Sequence, residues 1–76
     1  MPIYFFNVDC DDTQMTDIVG EDCACAEEAR HEALRLAREL IQQRLLDGRH
    51  PAAGWVEVED EEHRPILRLP LRAAAC

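Results

Sequence analysis

The sequence has no lysine and no serine, a single Trp, a single Tyr and two Phe, and no long apolar run. Without serine there is no nucleophile elbow of the hydrolase kind, and neither a Gly-rich phosphate loop nor a zinc-protease spacing is present. Without lysine, all fixed positive charge rests on eight Arg against sixteen Asp and Glu, a formal net charge of −8. Phosphate backbones are bound through cationic side chains that release counterions, so this balance argues against nucleic acid as a partner. The opening Met1-Pro2-Ile3-Tyr4-Phe5-Phe6 is apolar but meets Asn7 and Asp9 too soon for a signal-peptide core or a membrane span, and no basic segment precedes it. The expectation is a cytoplasmic protein with no membrane partner, its four cysteines, Cys10, Cys23, Cys25 and Cys76, reduced.

What is present suffices for one folded unit. A chain of 76 residues hides only about 60% of its unfolded surface, which is room for one core, so residues 1–76 are read as a single domain. The run over residues 3 to 8 predicts a buried strand, and Gln14 to Ile18 a second strand returning beside it before Gly20. From about Ala24 to Leu46 apolar residues recur at helical spacing. Ala26, Ala29, Ala33, Leu34, Leu36, Ala37, Leu40, Ile41 and Leu45 share one half of the wheel, with Asp47-Gly48 as the stop. Trp55 to Glu59 and Pro65 to Leu71 alternate as a hairpin, and residues 72–76 read as a frayed tail. The fold class is therefore α+β: one long helix packed on a small antiparallel sheet, in the order strand-strand-helix-strand-strand.

A single helix covers a single sheet face. The covered face takes Tyr4, Phe6, Val8, Val56, Val58, Leu67, Leu69 and Leu71, and the opposite face keeps Ile3, Phe5, Trp55 and Ile66. Those four are the candidate interface, for a homodimer or an unidentified protein partner, with Trp55 and Phe5 as anchors. The alternative is that sheet twist or the Ala73-Ala74-Ala75 tail covers them, or that they are ordinary exposed residues.

Chemistry is harder to find. Cys23 and Cys25 place two thiols just before the helix, but a structural zinc site needs a second pair or two spaced histidines, so metal-responsive or thiol-redox function is the alternative reading and no cofactor is assigned. The acidic stretch from Asp9 to Gly20 fails as a calcium loop, because Gln14 stands sixth and Gly20 twelfth. Paired Glu61 and Glu62 fall in a turn, where solvent opposes acid-base work, and no catalytic residue is assigned. The charge is local as well as net, since residues 1–28 carry eight acids and no Arg. A further alternative is thus an acidic decoy or antitoxin-like partner of a basic protein.

Met1-Pro2-Ile3-Tyr4-Phe5-Phe6, Asp17-Ile18-Val19-Gly20, Glu28-Ala29-Arg30-His31-Glu32-Ala33, Trp55-Val56-Glu57-Val58-Glu59 and Ile66-Leu67-Arg68-Leu69-Pro70-Leu71, in that order and spacing, resemble a family of small alphaproteobacterial proteins of unknown function that begin Met-Pro-x-Tyr-Phe-Phe. The resemblance implies a stand-alone cytoplasmic bacterial protein and brings no activity to carry over. Two departures from it bear on local geometry. The family commonly has Asp near Cys25, which leaves Asp22 as the expected helix cap, and it tends to place Gly at His63, which implies a left-handed residue there.

Overall fold

The computed structural model describes residues 2–10, 13–48 and 54–74. Its elements are β1 (Ile3–Cys10), β2 (Thr13–Met15), β3 (Glu21–Asp22), α1 (Ala26–Leu46), β4 (Gly54–Glu59) and β5 (Pro65–Pro70), followed by a 3₁₀ turn (Leu71–Ala74). The sheet is antiparallel throughout, in the order β2-β1-β4-β5, with β3 also on the outer edge of β1. This is the expected α+β arrangement, with the anticipated second strand divided into two short pieces.

Alternation along β1 sends Tyr4, Phe6, Val8 and Cys10 inward, and Val56 and Val58 continue the same face on β4. Against them α1 lays Ala29, Ala33, Ala37 and Ile41, the three alanines with no exposed surface. Small side chains at i, i+4 spacing allow a close helix-to-sheet approach, and Leu36, Leu40, Leu67 and Leu69 pack around the margin. Ala26 and Leu45, expected inside, lie exposed: they belong to the first and last turns of α1, beyond the buried stretch from Ala29 to Ile41.

The ends of α1 differ from each other. At the C-terminus the Asp47 amide donates to the Gln43 carbonyl and the Gly48 amide to the Leu45 carbonyl, with Gly48 at φ +75° closing the turn as its sequence position implied. The N-cap is Cys25, whose side chain makes no capping bond. Asp22, the expected substitute, instead pairs with Ile3 in β3 and is too far back along the chain to reach the first helical amides.

Residues 72–74, read from sequence as the start of a frayed tail, continue as the 3₁₀ turn, with Leu71 and Ala74 buried against α1. The turn packs on the helix side, so Ala73 and Ala74 do not cover the opposite sheet face. Ala75 and Cys76 lie outside the described residues.

Candidate interaction surface

The open face is built by the register of three strands. Phe5 stands beside Glu59, Asn7 beside Glu57 and Arg68, and Asp9 beside Trp55 and Pro70, so each row crosses the sheet with its side chains away from α1. A bulge between Val58 and Glu59 adds one residue to β5 and leaves Ile66 at the hairpin end, 42% exposed.

The four residues singled out from sequence do share this side, but not as one patch. Trp55 is half-buried and covered by Arg68, whose guanidinium carbon lies 3.8 Å from its ring centroid. Phe5, four positions further along the sheet and thus about 13 Å away, belongs to the hairpin end. There it stacks on His63, with ring centroids 4.2 Å apart and planes at 25°. His63 has φ +62°, the left-handed conformation its position implied, and its Nδ1 lies 3.3 Å from Glu59 Oε1. The ring contact and the Glu59 contact offset part of the strain of holding a non-glycine residue there. Between the two aromatic ends lies a polar depression of about 270 Å³ lined by Asn7, Asp9, Gln14, Trp55, Glu57 and Arg68.

A segment missed in the sequence completes the hairpin end. Residues 16–20, expected to run as a strand as far as Ile18, leave the ladder after Met15 and rejoin it at Glu21. The Asp17 side chain takes the strand's place. Its Oδ2 accepts from the Phe6 amide and its Oδ1 from the Val19 and Gly20 amides, while the Asp17 amide donates to Asn7 Oδ1. Burial alone pushes the Asp17 carboxyl upward, but the amides of Gly20, Phe6 and Val19 together outweigh it and hold the group below its ordinary value of 3.8. Gly20, at φ +80°, sits so close to β1 that an added Cβ would lie 2.4 Å from Ile3 Cγ2 and 3.1 Å from Phe5 Cε1.

The loop tip is apolar. Ile18 is 85% exposed and Val19 80%, beside Ile3 at 38%. Loop tips are ordinarily polar, so two large β-branched side chains in water on a tied-down loop stand out as a surface feature. The sequence cue was the Asp-x-x-Gly frame around Ile18-Val19, which reads equally well as a strand ending at glycine.

The two thiols of the alternative reading do not form a unit. Cys23 is buried and Cys25 exposed. Burial, then Glu21, Glu28, Glu32 and Asp22, push the Cys23 thiol up, which disfavours the thiolate that metal binding and exchange require. Among the described residues no three His, Cys, Asp or Glu side chains converge as a metal site, and no helix is long and apolar enough to cross a membrane.

A helix-on-sheet α+β domain with one closed and one open sheet face, and an Asp-braced apolar loop at the edge of the open one, is the class these features define. The chain belongs to a family described as a domain of unknown function (DUF6894), whose model matches residues 3–72. No curated protein and no solved structure matches it.

Proposed function

We propose that the protein is a non-enzymatic self-association module of the bacterial cytoplasm, pairing with a second copy of itself through the open sheet face. The observation that carries this reading is the set of exposed apolar side chains around the hairpin end: Ile3 and Ile66 on the open face, with Phe5 stacked on His63 among them, and Ile18 and Val19 on the loop whose Gly20 packs against Ile3 and Phe5. Reduced Cys10, Cys23 and Cys25 fit a reducing compartment.

A second copy fits because β1 and β5 flank β4 on the same face. A twofold axis along β4 lays Phe5 of one copy over Pro65 and Ile66 of the other, and Arg68 of each over Asn7 and beside Glu57 of the other. It also brings the two Trp55 rings together at one end of β4 and sets Glu57 and Glu59 of each copy against their own counterparts. A standard interface takes about 800 Å² from each partner, roughly a sixth of the 5059 Å² this chain exposes. The net charge of −8 opposes pairing, so the dimer tightens as salt rises.

Trp55, the sole tryptophan, reports the event. Dilution over about a hundredfold range in concentration shifts its emission to the red as the dimer parts, in step with the mass measured by sedimentation. A monomer at every concentration and salt, with unchanging emission, overturns the reading.

A further inference from the structure

A second surface lies on the helix side and is independent of the open face. α1 is set over β4, β5 and the 3₁₀ turn rather than over β1. The outer edge of β1 carries only two short strands with the Asp17 loop between them. This offset opens a cleft of about 290 Å³ between α1 and the edge of β1, with Phe6, Met15 and Leu36 as apolar walls and Glu21, Glu32 and Arg35 at the rim. Met15 is 45% exposed in it, an apolar side chain that the fold leaves partly in water.

The rim is negative. Arg35 offsets only part of it: its guanidinium pairs with both Glu32 and Glu39, one cation against the carboxylates of Glu21, Glu32 and Glu39. The carboxylates of Glu21, Asp22, Glu28 and Glu32 crowd the same side, close enough for all four to act on Cys23. Three of them, Glu21, Asp22 and Glu28, fall within residues 1–28, which hold eight acids and no Arg. A low-dielectric slot whose rim carries a net negative charge concentrates the field and favours a positive group. The volume falls just below the usual range of small-molecule pockets, and suits a single aliphatic side chain.

We propose that this cleft receives a short basic segment of another protein, one aliphatic side chain entering between Met15 and Leu36 while flanking Lys or Arg side chains meet Glu21 and Glu32. A second copy of this chain, itself at −8, is repelled from the same rim, which separates this surface from the one that self-associates.

The test uses a fluorescein-labelled model peptide of alternating Leu and Lys blocks, and its Leu/Glu counterpart, titrated with the intact chain and read by anisotropy. The Leu/Lys peptide binds and the Leu/Glu peptide does not, and the affinity falls as salt rises. Glu21→Lys and Met15→Arg each weaken binding about tenfold or more, the scale of one lost charge contact or one blocked anchor. Glu62→Lys, which changes the net charge by the same amount as Glu21→Lys but lies in the β4–β5 turn, leaves the affinity within about twofold. In nitrogen-edited spectra the amides of Met15, Glu21 and Leu36 shift on titration, and those of residues 61–64 do not. Equal weakening by Glu62→Lys and Glu21→Lys, or shifts spread evenly over the acidic surface, reduces the effect to unspecific charge and overturns the proposal. Absence of binding overturns it as well.

Discussion

Two turns in this molecule are built by the same device and end in opposite surfaces. In the loop between β2 and β3, Asp17 accepts from the amides of Phe6, Val19 and Gly20, and left-handed Gly20 closes the turn. In the hairpin between β4 and β5, Asp60 accepts from the amides of Glu62 and Arg64, and left-handed His63 closes it. The first presents Ile18-Val19 and the second Glu61-Glu62, all four exposed. An aspartate brace therefore works with either kind of tip, and its geometry does not call for apolar side chains. What the difference teaches is that the brace does not need Ile18 and Val19, which leaves them available for the contact outside the monomer proposed above.

The comparison also has a sharp asymmetry in cost. Gly20→Ala meets both a positive φ and the side chains of Ile3 and Phe5, and should destabilise by about 2–4 kcal/mol in denaturant unfolding. Gly48→Ala, at φ +75° with nothing within 4 Å, should cost only about 1 kcal/mol. Equal losses at the two glycines would mean that the loop is not seated on β1.

Asp17→Ala comes next, at roughly 2–3 kcal/mol, since three amides lose one acceptor group and two of those bonds are partly buried. Asp60→Ala, with its bonds exposed, should cost about 1 kcal/mol. The Asp17 contribution depends on pH in one direction. Its folded carboxyl sits below the ordinary value, so the stabilisation is complete above about pH 4 and is lost as pH falls through the folded value. Asp17→Asn removes that part of the acid dependence, and an unchanged acid limb in the variant would contradict the brace. The smallest effect is a gain. Cys25 is an N-cap with no side-chain bond, and Cys25→Ser supplies a brace where the chain has none, raising stability by about 0.5–1 kcal/mol in thermal or denaturant melts.

The contrast between the two turns also marks the limit of what could be read from the residues. Long periodic stretches spoke clearly: the helix, the hairpin, and the sorting of Tyr4, Phe6 and Val8 from Ile3 and Phe5 all follow from alternation and helical spacing. Left-handed His63 was legible through its resemblance to a glycine position. The Asp17 loop was not, because strands of three and two residues carry no period, and an aspartate that replaces a strand's hydrogen bonds looks like any turn former. Nor did the sequence show that α1 would sit over β4 and β5 and leave a cleft along β1. On that side Leu71 and Ala74 pack against the helix, a tertiary contact made by residues that pattern alone assigned to a strand end and a tail. The four candidate residues fall into separate groups on that face, and alternation, which assigns Trp55 to it, does not report the Arg68 side chain lying on the ring.

The most direct test is sedimentation equilibrium of the wild-type chain beside the double variant Ile18→Ser, Val19→Ser, with the melting curve of each. Burial of two such side chains in a dimer is worth about 3–6 kcal/mol, so the wild type should associate with concentration while the variant stays monomeric, at least a hundredfold weaker, and melts as a monomer within about 0.5 kcal/mol of the parent. A variant that associates as strongly as the wild type would place the tip outside the contact, and one that unfolds would show that the tip serves the monomer; either contradicts the account.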